Sequence, residues 1–207
     1  MSNIIRVLTV DDHPLLREGI AAVIAGENDI QLVAEATSGA DAIELFRKHR
    51  PDITLMDVQM PGMSGIDAMQ AIRAEFPNAR FIVLTTYQGD VLAMRALKAG
   101  ASGYLLKNML RKELLSTIRA VNAGRRCIPP EVALELAEHI SADALTDREV
   151  AILQRVAMGN SNKVIASDLN LSEATVKGHM KNILSKLEAN DRTHAVTIAM
   201  KRGFLEG

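Results

Sequence analysis

Residues 53–65, ITLMDVQMPGMSG, contain the pattern that decides the fold of the N-terminal half. The run from Ile53 to Met56 is short and apolar, which is typical of a buried β-strand. Asp57 follows this run directly. The stretch therefore predicts a buried strand that carries one carboxylate at its end.

Four other runs in the first 123 residues have the same character, and segments of helical periodicity lie between them. These runs are Val7–Val10, Leu32–Ala34, Phe81–Leu84 and Tyr104–Leu106. Two sets of apolar residues have the spacing of an amphipathic helix. The first set is Leu16, Ile20, Val23 and Ile24, and the second is Leu114, Ile118 and Val121. Apolar strands that alternate with helices predict an α/β fold, in which helices cover both faces of a five-stranded parallel sheet.

The length of 207 residues fits one large domain or two modest ones. Gly124-Arg125-Arg126, followed by Pro129-Pro130, interrupts the alternation of strands and helices and predicts a domain boundary. We therefore expect a first domain at residues 1–123 and a second at 145–207. The linker at 124–144 is expected to contain a short helix near 131–140.

The second domain shows no strand pattern and is predicted to be a small all-α domain of four helices. The helices are expected near 147–158, 162–169, 173–187 and 192–202. Thr146 and Glu149 have the spacing of a capping box, and Ser172 and Asp191 are suited to cap the last two helices. The second and third helices, joined by the tight turn at 170–172, predict a helix-turn-helix.

Three carboxylates are predicted to meet at one edge of the sheet. Asp11 and Asp12 follow the first strand and Asp57 follows the third, and the carboxyl ends of parallel strands lie together. Because close carboxylates repel one another, a hard cation such as Mg²⁺ is expected to neutralise them. Lys107 and Thr85, at the ends of the fifth and fourth strands, add an ammonium and a hydroxyl. A carboxylate in this setting can attack a phosphoryl group.

These residues resemble the receiver domain of response regulators over about residues 4–123. The resemblance rests on Asp11-Asp12, on LMDVQMPGMSG at 55–65, on Thr85 and on GYLLK at 103–107. It implies a flavodoxin-like doubly wound sheet with strand order 2-1-3-4-5. It also implies that Asp57 accepts a phosphoryl group from a histidine kinase.

The same resemblance assigns the metal ligands. Asp12, Asp57 and the backbone carbonyl of Gln59 would bind Mg²⁺ directly, and Asp11 would act through water. His13 is expected to be a loop or first-turn residue without a ligand role, because no second histidine lies at ligand spacing.

Three further roles follow from the resemblance. Lys107 would contact the phosphoryl group, Thr85 would move toward it, and Tyr104 would turn inward in response. Two residues depart from the family pattern. Asn108 stands where many receivers have proline, and Thr86 stands where a small residue commonly governs access to the phosphoryl group.

The predicted helix at 173–187 has two contrasting faces. Its apolar residues share one side, and they are Val176, Met180, Ile183 and Leu187. The outer side combines the cations Lys177 and Lys181 with small residues. Small residues let a helix enter the major groove of DNA, where lysines reach guanine acceptors or phosphates.

Residues 145–207 resemble the LuxR/GerE-type DNA-binding domain through LTDREV at 145–150, NKVIA at 162–166, SEATVKGHM at 172–180 and ILSKL at 183–187. Joined to the receiver, this domain is similar to that of the NarL/FixJ regulators. The implied base or phosphate contacts are Lys177 and Lys181, and the implied contacts to the DNA backbone are Thr175 and Asn182. His179 is expected to be structural or phosphate-binding, and Gly178 replaces the larger side chain often found there.

The combined resemblance implies a phosphorylation-dependent transcriptional regulator. Its expected partners are a sensor histidine kinase, double-stranded DNA and a second copy of the chain after phosphorylation, with RNA polymerase a further candidate. Residues 145–207 carry nine Lys/Arg against seven Asp/Glu, and this net charge of +2 permits DNA binding. The single Cys127 and the lack of a membrane-length apolar run or signal peptide favour the cytoplasm and no membrane partner.

Two other functions are weighed against this one. A Mg²⁺-dependent phosphatase of the haloacid dehalogenase type also uses an aspartate at a strand end, but it has a second acid two residues later, where Gln59 stands here. The other alternative is a module whose helices regulate a protein partner without contacting DNA. Turnover of a phosphatase substrate would favour the first, and failure to retain DNA would favour the second.

Overall fold

The computed structural model describes residues 4–86, 90–130, 132–134 and 145–205. Within it the chain divides into two compact units. Most of the helix predicted near 131–140 lies outside the described residues, so that helix stays a prediction.

The N-terminal unit is built on a five-stranded sheet in which every neighbouring pair of strands is parallel. The strand order is β2-β1-β3-β4-β5. The strands are β1 (Ile5–Val10), β2 (Ile30–Ala36), β3 (Ile53–Asp57), β4 (Phe81–Thr85) and β5 (Ala101–Leu106). The predicted α/β fold and its strand order are confirmed.

Five α-helices connect or follow these strands in chain order. They are α1 (Pro14–Ala25), α2 (Gly39–His49), α3 (Gly65–Glu75), α4 (Asp90–Lys98) and α5 (Leu110–Asn122). A single 3₁₀ turn, Lys107–Met109, leads from β5 into α5. Helices α1 and α5 pack on one face of the sheet through their apolar stripes, which include Ile20, Ile24, Leu114, Ile118 and Val121.

The opposite face of the sheet is covered through aromatic contacts. The ring of Phe46, on α2, lies with its centroid 6.4 Å from that of Phe81 on β4. It also lies 5.2 Å from the ring of Phe76, which follows α3. Helices therefore cover both faces of the sheet. A functional site is expected beyond the carboxyl ends of the strands, where the sheet is not covered.

Beyond α5 the chain returns to the sheet. Cys127 donates its N–H to the carbonyl of Ser102 at 3.0 Å, and its own carbonyl accepts the N–H of Tyr104 at 2.8 Å. Residue 127 therefore extends the sheet by one parallel bridge beside β5. The first part of the predicted linker is thus hydrogen-bonded to the N-terminal unit.

The C-terminal unit is helical and contains α6 (Asp147–Ala157), α7 (Asn162–Asp168), α8 (Glu173–Lys186) and α9 (Arg192–Arg202). Side-chain caps begin these helices as the sequence predicts. Thr146 and Glu149 form a reciprocal capping box, Ser172 accepts the N–H of Thr175, and Asp191 accepts the N–H of His194. The apolar faces enclose a core that includes Ile152, Leu153, Ile165, Val176 and Ile183. Among the described residues, we find no helix whose length and apolarity would let it cross a membrane.

Candidate functional site

The acidic side chains predicted to converge do lie together. Asp11 follows β1, Asp57 is the last residue of β3, and these two strands are hydrogen-bonded neighbours. Asp11, Asp12, His13 and Asp57 each present one oxygen or nitrogen atom within 4.8 Å of the others. Three carboxylates and an imidazole form a donor set that fits a divalent cation.

Lys107 neutralises the two deepest carboxylates of this cluster. Its Nζ lies 2.7 Å from Oδ2 of Asp57 and 2.8 Å from Oδ2 of Asp11. The lysine reaches this position because β5 ends at Leu106, at the same edge of the sheet as β1 and β3. A single ammonium thus bridges residues that are far apart in the sequence.

Burial and the neighbouring charges shift the pKa values of Asp57 and Lys107 in opposite directions. Burial raises the pKa of Asp57 above its ordinary value, although the bond from Lys107 works against this rise. For Lys107, burial lowers the pKa, but the bonds to Asp11 and Asp57 outweigh it, so the net shift is upward. The ammonium therefore stays charged, while the carboxylate of Asp57 is held in a setting that resists its ionisation.

The first turn of α1 has no side-chain cap. The residue at the N-cap is His13, and its side chain makes no capping hydrogen bond. Its Nδ1 instead lies 3.1 Å from Oδ1 of Asp11 and 2.9 Å from Oδ1 of Asp12. The expectation that His13 is a loop or first-turn residue agrees with its position at this N-cap.

The loop after β3 positions the carboxylate of Asp57. Its Oδ1 accepts the backbone N–H of Gln59 at 3.1 Å. A Cβ on Gly65 would lie 1.8 Å from the backbone oxygen of Asp57, so only glycine fits where α3 begins. The close approach of α3 to β3 therefore depends on this glycine.

The two residues predicted to act as a switch lie on the two strands beyond β3, which ends at Asp57. Thr85 ends β4 and is in register with Leu106, while Tyr104 of β5 is in register with Val83. Both side chains are buried. The amide of Tyr104 is the one that donates to Cys127, so this strand position is connected to the residues that follow α5.

The helix-turn-helix has the geometry that the sequence predicts. Helix α7 ends at Asp168, Asn170 adopts a left-handed backbone with φ of 53°, and α8 begins at Glu173. The turn is closed by a bond from the N–H of Leu171 to the carbonyl of Ala166 at 2.8 Å. The asparagine suits the left-handed position, since its short polar side chain tolerates it.

Helix α8 separates a buried face from an exposed one. The buried side chains include Val176, Met180 and Ile183. The predicted DNA-contacting residues lie on the other side: Thr175, Lys177, Gly178, Lys181 and Asn182 are exposed, and His179 is half-buried.

Two of these exposed side chains have local partners. Lys177 pairs with Glu173 one turn earlier, at 3.1 Å. The hydroxyl of Thr175 lies 2.8 Å from that of Ser172.

One ion pair of the C-terminal unit was not predicted from the sequence. Lys186, at the end of α8, contacts Oε2 of Glu149 at 2.9 Å, and the same oxygen accepts the N–H of Thr146 at 2.8 Å. The pair joins the end of α8 to the beginning of α6. The capping-box pattern identifies Glu149, but no local pattern indicates its distant lysine.

Comparison with protein families identifies both units. Residues 7–119 match the response regulator receiver domain, and residues 143–199 match the bacterial regulatory proteins of the luxR family. Both matches are to regulators, which reduces the support for the phosphatase hypothesis.

Three individual proteins are similar along nearly their full length. The uncharacterized transcriptional regulatory protein YxjL of Bacillus subtilis is 40% identical, and the alignment covers 98% of each chain. The crystal structure of the response regulator ChrA, from a heme-sensing two-component system, is 38% identical, with a TM-score of 0.58 and coverage of 99% and 100%. The RcsB–DNA complex is 25% identical, with a TM-score of 0.71 and coverage of 96% and 99%.

Proposed function

The chain belongs to the response regulators that join a receiver domain to a LuxR-type DNA-binding domain, as its resemblance to the NarL/FixJ family predicted, and we propose that phosphorylation of Asp57 controls its binding to DNA. The chain is a transcriptional regulator of this family. The observation that carries the proposal is the contact of Lys107 with both Asp57 and Asp11 beside a cluster of metal-binding groups.

In the proposed reaction, an oxygen of Asp57 attacks the phosphorus of a phosphohistidine on a sensor kinase. The bond from phosphorus to the histidine nitrogen breaks, and the histidine leaves with the electron pair of that bond. Lys107 would exchange its present contact with the carboxylate for one with a phosphoryl oxygen. This exchange suits a lysine whose pKa is raised by the same carboxylates and which therefore remains charged.

The proposed metal ligands are Asp12, Asp57 and the backbone carbonyl of Gln59, with Asp11 acting through water. Bound Mg²⁺ would neutralise the carboxylates together with the oxygens of the transferred group. The buried position of Asp11 and Asp57 supports this role, because buried carboxylates require compensating cations.

Thr85 and Tyr104 are the proposed switch residues. Thr85 would move its hydroxyl toward the phosphoryl group, and Tyr104, whose side chain is already buried in this structure, would adjust in response. Thr85 lies on β4, which is next to the strand of Asp57, and Tyr104 lies on β5, one strand further away. This arrangement supports a change that begins at Thr85 and then reaches Tyr104. The bond from Tyr104 to Cys127 would carry such a change to the start of the linker.

The proposed DNA-reading surface is the exposed face of α8. Lys177 and Lys181 would contact bases or phosphates, Thr175 and Asn182 would contact the DNA backbone, and His179 would be structural or phosphate-binding. Gly178 offers no side chain to a thymine methyl group. The exposure of both lysines supports this assignment, as does the similarity to RcsB, which is known bound to DNA.

The proposed organisation is a receiver at residues 1–123, a linker at 124–144 and a DNA-binding domain at 145–207. The proposed partners are a sensor histidine kinase, double-stranded DNA and a second copy of the chain, with RNA polymerase a further candidate. Phosphorylation would favour a dimer on paired DNA half-sites by shifting an existing equilibrium.

Incubation with acetyl phosphate and Mg²⁺, followed by mass spectrometry of the intact protein, tests the phosphorylation. We expect the mass of one phosphoryl group to be added to the wild type and not to Asp57→Asn. The Asp12→Asn variant, which retains the acceptor, should gain the group more slowly. An equal gain in Asp57→Asn would disprove the assignment of the acceptor.

DNA binding is tested on genomic fragments selected by the phosphorylated protein. Replacement of Lys177 and Lys181 by alanine should weaken binding and reduce the slope of affinity against salt by about one for each phosphate that the variant no longer neutralises. Lys201→Ala, which removes an exposed lysine of α9, is the matched control. Unchanged affinity in the double variant would contradict the assignment of α8.

A further inference from the structure

A cleft lies between α1 and the beginning of α5, outside the acidic pocket. Its volume is about 320 Å³, which is near the lower limit of the roughly 300–1,000 Å³ that ligand pockets occupy. Most of its wall is apolar and is formed by Leu16, Ile20, Val23, Leu110 and Leu114. The cleft therefore suits a small organic molecule with an apolar body.

The charged groups at this cleft are both cations. Lys107 lines it, but its ammonium is already paired with Asp11 and Asp57. Arg111 also lines it, is exposed, and forms no ion pair with any residue that the structure describes. Among the described residues of the cleft wall, none is acidic. The guanidinium of Arg111 is therefore available to an anion from solution.

Asn108 adds a polar group beside this guanidinium. It lines the cleft and is exposed, and it stands where many receivers have proline. Its carboxamide can donate an N–H to an oxygen that Arg111 also binds, and a guanidinium is suited to the two oxygens of a carboxylate. A doubly charged phosphate would require a second cation, and Lys107 is already engaged by two carboxylates. The polar end of the cleft thus fits a single carboxylate.

Gly19 keeps the α1 side of the cleft open. A glycine inside a helix is unfavourable relative to other residues, and Gly19 has no positive φ that would require it. A Cβ at this position would meet no atom within 4 Å. The local effect of the glycine is therefore to leave space in the cleft that a larger side chain would occupy.

We propose that this cleft binds a small amphipathic carboxylate, such as a short fatty acid. Its hydrocarbon part would lie between α1 and α5, where burial of apolar surface provides most of the affinity. Its carboxylate would bind Arg111 and Asn108. The ligand would also contact Lys107, which is proposed to contact the phosphoryl group, so that the receiver would have a second chemical input.

Calorimetric titration of the full chain with octanoate and, separately, with 1-octanol tests the proposal. These probes have hydrocarbon chains of the same length and differ in the charged group, and we expect octanoate to bind the wild type more tightly. Arg111→Gln should weaken the binding of octanoate by up to about fivefold, which corresponds to the loss of an exposed ion pair, and should not change that of 1-octanol. Lys112→Gln removes a neighbouring exposed cation that does not line the cleft, and it should bind both probes as the wild type does.

Two variants at Gly19 test the location of the bound probe. Gly19→Leu should fill the cleft and abolish the binding of both probes, whereas Gly19→Ala adds one methyl group to open space and should retain it. A cooperative thermal transition no lower than that of the wild type would show that Gly19→Leu is folded. Equal octanoate affinity in the wild type, Arg111→Gln and Gly19→Leu would overturn the proposal.

The remaining outcomes separate this site from other uses of the cleft and from phosphorylation. If the wild type bound neither probe and Gly19→Leu changed the oligomeric state in sedimentation, a second copy would cover the cleft, and the proposal would be wrong. Asp57→Asn should bind octanoate as the wild type does, since the cleft does not include the acceptor. Octanoate binding by a chain that cannot be phosphorylated would support this site even though the proposed function had failed.

Discussion

Lys107 and Asp57 form a buried ion pair, with Nζ of the lysine 2.7 Å from Oδ2 of the aspartate. The same ammonium lies 2.8 Å from Asp11, so one positive charge serves two carboxylates. Removal of the lysine should be strongly destabilising, because it leaves two buried carboxylates uncompensated, whereas removal of the Asp57 charge leaves the ammonium paired with Asp11. The pocket is therefore held together by the residue that is proposed to contact the phosphoryl group.

Lys107→Met should lower the free energy of unfolding by about 3 kcal/mol at neutral pH, since it leaves two buried carboxylates uncompensated. Added Mg²⁺ should recover part of this loss by binding the folded state. Urea unfolding with and without Mg²⁺ measures both effects. Lys112→Met, which removes an exposed lysine of α5, should change stability by less than about 0.5 kcal/mol. Equal losses of stability in Lys107→Met and Lys112→Met would show that Lys107 does not compensate the charge of the buried carboxylates.

The raised pKa of Asp57 predicts a specific dependence of stability on pH. Burial is the main cause of the rise, and the bond from Lys107 opposes it. Between the ordinary pKa of 3.8 and the higher folded-state pKa, the folded protein binds more protons than the unfolded chain. Stability attributable to Asp57 is therefore present below this interval and is lost as the pH rises through it.

Asp57→Asn removes this titration, so it should stabilise the metal-free protein at neutral pH, with an advantage that shrinks as the pH falls toward 3.8. Thermal unfolding across this pH range, with a chelator present, measures the difference between the two proteins. If the stability of Asp57→Asn relative to the wild type instead rose as the pH fell, folding would favour the ionised form of Asp57, and the prediction would be wrong.

Glu149 should have the opposite dependence. Burial alone would raise its pKa, but the bonds from Thr146 and Lys186 outweigh it and lower the pKa. Its contribution is therefore present above the ordinary pKa of 4.5 and is lost as the pH falls through the lower folded-state value. Glu149→Gln should destabilise the C-terminal unit by about 2 kcal/mol.

Hydrogen exchange of the amides in α6 of the full chain measures the effect of Glu149→Gln on that unit. Glu173→Gln is the matched control, because Glu173 is exposed and pairs only one turn away with Lys177. An exposed pair of this kind contributes no more than about 0.5 kcal/mol. Similar losses in both variants would contradict the importance of the pair between Glu149 and Lys186.

Gly178→Ala should raise the stability of the C-terminal unit by about 1 kcal/mol, because alanine is the better helix former at an interior position. A Cβ at this position meets no atom within 4 Å, so no contact opposes the gain. Gly65→Ala should do the reverse, since its Cβ would collide with the backbone of Asp57. Thermal denaturation of the two variants measures both effects, and a loss of stability in Gly178→Ala would contradict this prediction.

The bridge between Cys127 and β5 can be tested through the amide of Tyr104. Cys127→Pro removes the N–H that binds Ser102, so the bridge should open and the amide of Tyr104 should exchange faster with solvent. Cys127→Ser keeps the backbone groups and should leave this exchange unchanged. Equal protection in all three proteins would show that the bridge does not hold this segment.

The acidic pocket could be anticipated from the sequence because parallel strands bring their carboxyl ends to one edge. Asp11, Asp57 and Lys107 each follow a strand whose apolar run is easily recognised, and their convergence needs only the strand order. The contacts of the His13 imidazole with Asp11 and Asp12 could not be anticipated, since they depend on the direction of a side chain at the start of α1, which no spacing rule specifies. The chemical roles of all these residues stay predictions.

The sequence by itself determined the two kinds of domain, the five strands, the helices α1 and α5, the four helices of the second domain, and the caps at Thr146, Ser172 and Asp191. These features depend on residues a few positions apart, and periodicity and capping record such short-range preferences directly. Only the tertiary structure decided which nitrogen faces Asp12, that Lys186 reaches Glu149, and that Cys127 returns to β5. Those contacts join side chains and backbone groups whose distances are set by the packing of whole elements, and packing leaves no local pattern in the sequence.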